Sequence, residues 1–167
     1  MKFRVEHIIK NITLAGYEKL YFDEPFNIAL CEAVKLRRGK ASLEIHDGRL
    51  KRAVVVGPER ELPGPIAKIV GADHVEYTEH VDYRMGSHHG TWHTVPSFMA
   101  NKVESSGTFS FRDVPTGVMR IVEGEVNVKI FGLGSVIEKF IISDVEKSYG
   151  QAAAFTQDWI LRTVPGA

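Results

Sequence analysis

The chain opens on a strict alternation, with Phe3, Val5, His7 and Ile9 on one side of an extended segment and Lys2, Arg4, Glu6 and Lys10 on the other. A period of two marks a half-buried β-strand, and it places His7 among the apolar side chains. Residues 13–22 and 24–34 read as two short helices, the second opening with Pro25, since a first-turn position tolerates a missing amide hydrogen. Residues 41–46 and 50–56 are strands flanking Asp47-Gly48, a pair that accepts the positive φ angles of a tight hairpin. Segment 61–73, ELPGPIAKIVGAD, sets two prolines and two glycines around Ile66, Ala67, Ile69 and Val70, so a short helix or loop is expected there rather than a strand. From His74, the side chains of Val75, Tyr77, Val81 and Tyr83 fall on one face of a strand, and those of Glu76, Thr78, His80, Asp82 and Arg84 on the other. Residues 86–88 turn the chain, and strands follow at 89–95, 102–112 and 118–131, broken by Pro96-Ser97 and Pro115-Thr116-Gly117.

The period then changes. Between residues 135 and 159, apolar side chains recur at Ile137, Phe140, Ile141, Val145, Tyr149, Ala152, Phe155 and Trp159, the spacing of one buried helical stripe. Ser135 followed three residues later by Glu138 has the form of a capping box at its start. A helix of roughly 25 residues is about 37 Å long and needs a broad sheet to cover its stripe. Strand, two short helices, about six strands joined by turns and a long helix make an α+β fold: a curved antiparallel sheet of about seven strands wrapped around the C-terminal helix. With 167 residues, 44% of them hydrophobic, the chain is expected to form one domain over residues 1–167.

Charge narrows the partners. Twenty-one basic residues balance twenty-one acidic ones, which gives no long-range attraction to nucleic acid or to an anionic membrane. Cys31, the only cysteine, fits a reducing compartment. No N-terminal stretch has the form of a signal peptide, and no apolar run reaches the ~18 residues of a membrane span, so a cytoplasmic protein is expected.

Candidate chemistry is sparse. His88, His89 and His93 cluster in sequence, but along a strand His89 and His93 stand about 13 Å apart with His88 on the opposite face, which excludes one zinc site from those three. His80 on a neighbouring strand can pair with one of them, and no metal or other cofactor is expected. Cys31 lies within an apolar run and reads as a core thiol. Gly132 and Gly134 precede a helix, yet Ile137 takes the place of a third glycine and no parallel βαβ unit surrounds them, so a dinucleotide loop is excluded. His7, on the inward face, is either a satisfied buried histidine or an acid or base beside a ligand. Arg120 alternates with Val118 and Val122, and a guanidinium facing an apolar interior must find a partner.

The VEHI of the first strand, the LPGPIAKIVG segment before VEYTEHVDYR, and a last strand running through Gly132 into a helix ending FTQDWI resemble the START-like (SRPBCC, helix-grip) superfamily. Within it, they are similar to an uncharacterised bacterial group and to PRELI-type lipid-transfer proteins. The resemblance spans essentially the whole chain, and its motifs specify fold better than chemistry. It implies a cavity between sheet and helix that holds a lipid, phospholipid or similar hydrophobic small molecule, and transient contact with a membrane. Tyr77, Tyr83, Trp92, Phe109 and Phe111 on strands and Phe140, Ile141, Val145 and Tyr149 on the helix, with His7 and Arg120, are the expected ligand contacts; strand register decides which of them face it, and the same side chains suit a solid core. Gly150 and Ala152 to Ala154 leave room. Leu62, Pro63, Pro65, Ile66, Ile69 and Val70 correspond to a lid at the cavity mouth. Arg52, Lys68, Arg120 and Lys139 are candidate cations for a phosphate. The alternative on the same fold is a cyclase, aromatase or hydrolase using His7, Tyr77 or Asp82 as proton carriers.

Overall fold

The computed structural model describes residues 1–163. Its elements run β1 (Lys2–Lys10), α1 (Leu14–Tyr21), α2 (Glu24–Ala33), β2 (Leu36–His46), β3 (Arg49–Pro58), α3 (Gly64–Val70), β4 (Tyr77–Arg84), β5 (His89–Pro96), β6 (Val103–Val114), β7 (Gly117–Val128) and α4 (Gly134–Thr163). All seven strands join one antiparallel sheet in the order β1-β7-β6-β5-β4-β3-β2. The curved sheet with its long C-terminal helix is the helix-grip arrangement expected from the sequence. Among the described residues, no helix is long and apolar enough to cross a membrane.

Local chemistry explains the elements. The Thr13 side chain caps α1 by accepting from Gly16 N, and that of Asp23 caps α2 by accepting from Phe26 N. Asp47 (φ 49°) and Gly48 (φ 77°) make the tight turn between β2 and β3. Gly71 ends α3 in the left-handed conformation (φ 75°).

Three boundaries differ from the sequence reading. β2 begins at Leu36, with a bulge between Arg38 and Ala41, because the edge strand continues its pairing with β3 back to Pro58. β7 stops at Val128 rather than at residue 131, and Phe131 is fully exposed in the turn before α4. Finally, α4 starts at Gly134, so Ser135 lies inside it, and Glu138 closes no capping box. The Glu138 carboxylate accepts instead from Val128 N at 3.2 Å and lies 3.5 Å from the N-terminal ammonium of Met1, tying the helix entry to the sheet edge.

The helix of 30 residues is ~45 Å long and packs on β1, β7 and α2. Ile137, Ile142, Ala152, Thr156 and Ile160 are its buried positions. Ile141, Val145 and Tyr149 are half-buried beside them, against the core. Phe155 and Trp159, expected in the same stripe, turn to Phe26 of α2, with ring centroids 6.0 and 5.6 Å from it. The 3.6-residue turn carries a 30-residue helix's apolar face progressively around its axis, and α2 covers the part that leaves the sheet.

Glycines on the inner face shape the sheet. Gly90 lies under the ring of Phe109, and Gly124 under Trp92 and Phe3. Gly107 and Gly124 are register partners at the centre of the β6–β7 pair. A Cβ on Gly107 would stand 2.6 Å from Gly124 Cα and closer still to the Glu123 carbonyl oxygen. The strands therefore approach more closely here than any other residue allows, and the sheet bends. Gly107→Ala is expected to destabilise the protein by about 3 kcal/mol through backbone displacement, lowering Tm by roughly 6–12 °C for a chain of this size. Thermal melting of the variant beside the parent tests this, and an unchanged Tm would show that β6 and β7 separate freely.

Candidate functional site

Between α4 and the middle of the sheet, the inward positions of β3 and β4 are not uniformly apolar. Arg52 lies between Leu50 and Val54, and Glu79 between Tyr77 and Val81. The two strands pair Arg52 with Val81 and Glu79 with Val54, so the charges are diagonal neighbours. Arg52 Nη2 donates to Glu79 Oε1 at 3.3 Å, its guanidinium lies 5.7 Å from the Phe22 ring centroid, and its Nε is buried without a partner.

A second polar node joins β1, β7 and α4. Arg120 is 3% exposed. Register places His7 opposite it on β1. Both hydrogens of Arg120 Nη2 are used: one goes to His7 Nδ1 and the other to the Tyr149 carbonyl, each at 3.1 Å. The Tyr149 ring covers the guanidinium at 4.9 Å, and Arg120 Nε has no partner. Arginine only donates, so His7 Nδ1 accepts and the imidazole proton resides on Nε2. Burial first, then the neighbouring Arg120 charge, hold the His7 pKa below its ordinary 6.5. Gly150 keeps helix side chains off this imidazole; the nearest atom to a Cβ built there is His7 Nε2, at 4.0 Å.

Three further tyrosines stand on the elements around these nodes: Tyr21 on α1, Tyr77 on β4 and Tyr149 on α4. Protein surrounds each phenol, and burial keeps all three protonated far above the ordinary tyrosine range. Tyr149 lies with its ring over Arg120, and Tyr77 stands two residues from Glu79 on the same face of β4. Their side chains nevertheless retain accessible surface, and among the described residues none of these hydroxyls has a hydrogen-bond partner. Trp92, half-buried on β5 with Nε1 unpartnered, adds another free donor to the same face of the sheet.

The other expected contacts divide. Ile141 and Val145 are half-buried on α4 and pack against the core. Tyr83, Phe109 and Phe111 are buried and pack on one another and on Tyr17 and Tyr21; Tyr21 stacks on Phe109 at 5.4 Å. The Tyr83 hydroxyl donates to Glu18 at 2.5 Å. These rings form part of the packed core. Phe140 lies toward α3, under the guanidinium of Arg60 at 5.1 Å. In the lid segment, Ile66 is buried, Ile69 packs against the core, Leu62 and Val70 are half-buried, and Pro63 and Pro65 are exposed. Leu62 N donates to Asp73 O at 2.7 Å to close the base of the segment, and Arg60 pairs with Asp144 of α4.

Of the four candidate cations, only Arg52 and Arg120 enter the interior, because Lys68 and Lys139 lie on the outer sides of their helices. Asp82 is corrected: it lies on the convex face, bonded to Arg49 Nε at 2.9 Å and Nη2 at 2.5 Å, and that guanidinium holds its carboxyl below the ordinary range. His80 and His93, register partners on the same convex face, stack at 4.6 Å, whereas His88 (φ 57°) lies in the turn before β5. Among the described residues, no three His, Cys, Asp or Glu side chains are placed to hold a metal. Burial raises the Cys31 thiol pKa, so it remains a protonated thiol. An open groove of about 910 Å³ lies elsewhere, between the start of α1 and the β6–β7 turn, and holds none of the converging polar groups. Glu79, Tyr17 and Tyr21 were not singled out from the sequence; a carboxylate in an otherwise apolar alternation is the signal that marks Glu79.

The family profile described as "Protein of unknown function (DUF2505)" matches residues 10–160. The chain belongs to that family. Among solved structures, it is similar to TTHA0849 from Thermus thermophilus, with 11% identity and a TM-score of 0.64 over 98% of this chain and 99% of that one. NE0264 from Nitrosomonas europaea has 6% identity and a TM-score of 0.60, covering 97% and 95%. The di-domain ARO/CYC StfQ from the steffimycin biosynthetic pathway has 10% identity and a TM-score of 0.58, over 94% of this chain and 51% of StfQ. At these identities, the likeness establishes the helix-grip fold of the DUF2505 chain alone. Among curated proteins, none matches it.

For this DUF2505 protein, the lowered pKa of His7 fixes the sign of a pH effect. The unfolded chain protonates near 6.5 while the folded one resists, so stability falls as pH drops from 6.5 toward the folded value and then levels off. His7→Gln is expected to lose less stability than the parent between about pH 7.5 and about pH 5. Urea denaturation at both values tests it, and equal losses would show that His7 titrates alike in both states.

Proposed function

We propose that this DUF2505 protein binds a hydrophobic small molecule, of the lipid or phospholipid class, between the inner face of the sheet and α4, and carries it without chemical change. The observation supporting this reading is the set of half-buried tyrosines on the inner side of the fold, Tyr21, Tyr77 and Tyr149, whose hydroxyls no protein group satisfies among the described residues, beside the buried guanidinium of Arg120. Half-buried Ile141, Val145 and Trp92 supply apolar wall. The α3 segment is the lid, held on α4 by the Arg60–Asp144 pair and hinged at Pro63 and Gly71. The lipid-transfer form of this reading draws on the PRELI-like LPGPIAKIVG segment and includes transient membrane contact. A cytoplasmic setting completes it, in keeping with a single protonated thiol.

A second reading, an enzyme of the cyclase or aromatase kind, is favoured by one feature: Glu79 and three protonated phenols share an interior with Arg52, a set able to exchange protons with an enclosed substrate. The ARO/CYC designation of StfQ has the same direction. His7 and Tyr77 remain candidates for that role.

Native mass spectrometry of protein purified without detergent, followed by organic extraction, is the deciding experiment. A stoichiometric apolar adduct is expected. Empty protein that also fails to retain lipid from liposomes would overturn the carrier reading.

A further inference from the structure

The interior has a surplus of hydrogen-bond donors and of positive charge, and that imbalance constrains the ligand. Arg52 has the Glu79 carboxylate within 3.3 Å. Arg120, more deeply buried, has none: its Nη2 donates to a neutral imidazole and a helix carbonyl, the Tyr17 hydroxyl stands beside it, a ring covers its face, and no carboxylate pairs with it among the described residues. A lone guanidinium withdrawn from water is costly unless an anion joins it. The residues around it cannot supply one, since His7 resists even a second positive charge and Tyr17 and Tyr149 hold their protons. Tyr149 lies over Arg120, and its hydroxyl and those of Tyr21 and Tyr77 have no acceptor among the described residues.

We infer that the ligand is an amphipathic acid: an apolar body against α4 and β5, and an anionic oxygen group, carboxylate or phosphate, that supplies the counter-charge to Arg120 and accepts from the tyrosine hydroxyls. This rests on the interior binding reading and narrows it. Arg120 anchors the head by charge. Gly150 leaves the approach beside His7 open, and the tyrosines orient whatever oxygens remain. Neutral sterols, hydrocarbons and triacylglycerols would leave the same cation bare and bind less well.

The test uses the full chain and probes that share one body, namely decanoate, decyl phosphate and decanol, with inorganic phosphate as the fourth, in calorimetric titrations near pH 8. At least one of the two anions is expected to bind about tenfold or more tightly than decanol, the increment of a charge-assisted hydrogen bond. Arg120→Met is expected to remove that preference while decanol binding persists. If Arg120→Met does not fold, the Arg120 Nε resonance of the parent carries the same information: it should shift with the preferred anion and stay in place with decanol. Saturable binding of decanol as tight as that of both anions would overturn the acid inference and leave the interior binding reading intact. A preference that survives Arg120→Met would remove Arg120 as the anchor. Inorganic phosphate binding as tightly as the decyl anions would refute the amphipathic body, and no binding of any probe would overturn the interior site and the inference together.

Discussion

The architecture depends on where α4 touches the sheet. It lies along β1 and β7 at one side and against α2 at the other. Its entry is fastened by the Glu138 carboxylate, which holds Val128 N and the Met1 ammonium, and its middle by Arg120, which reaches the Tyr149 carbonyl. A straight rod of ~45 Å laid against a curved sheet cannot follow it across its whole width. The helix therefore packs on β1 and β7, and the inner faces of β3, β4 and β5 are covered mainly by side chains rather than by the backbone of α4.

The sheet bends because glycines occupy inner positions at Gly90, Gly107 and Gly124, where aromatic rings or the next strand's backbone take the volume of a side chain. Rings placed there do two jobs. Tyr83, Phe109 and Phe111 form solid core, with Tyr17 packed on Phe111, while Trp92 keeps a buried Nε1 without a partner. Burial then raises the pKa of the phenols and of the thiol and lowers that of His7, and beside these groups lie the Arg52–Glu79 pair and Arg120.

Fold similarity at 6–11% identity carries the plan of such an interior from one protein to another but not its lining. The lining of this DUF2505 chain is more polar than an apolar lipid sleeve. Its most deeply buried cation, Arg120, faces neutral groups rather than a carboxylate.

Much of this fold was legible in the residues themselves. Period-two alternation marks β1 and β4, Asp47-Gly48 fixes a hairpin by the φ angles that few other pairs tolerate, turn-forming residues bound β5 to β7, and three-to-four spacing marks α4, because these are local consequences of backbone geometry. Arg120 stood out for the same reason, as a charge in an apolar alternation. The failures are also physical. Glu138 has the spacing of a capping box, yet a strand amide and the chain's own N-terminus compete for its carboxylate, and neither is near in sequence. Phe155 and Trp159 share the helical period of the buried stripe but meet α2, since the drift of that period along so long a helix matters only when a second helix is there to receive it. Asp82 and Glu79 differ by three positions on one strand, and therefore lie on opposite faces. Which face is interior, and which charges inside it find partners, is decided when seven strands and a helix from distant parts of the chain close around the same space.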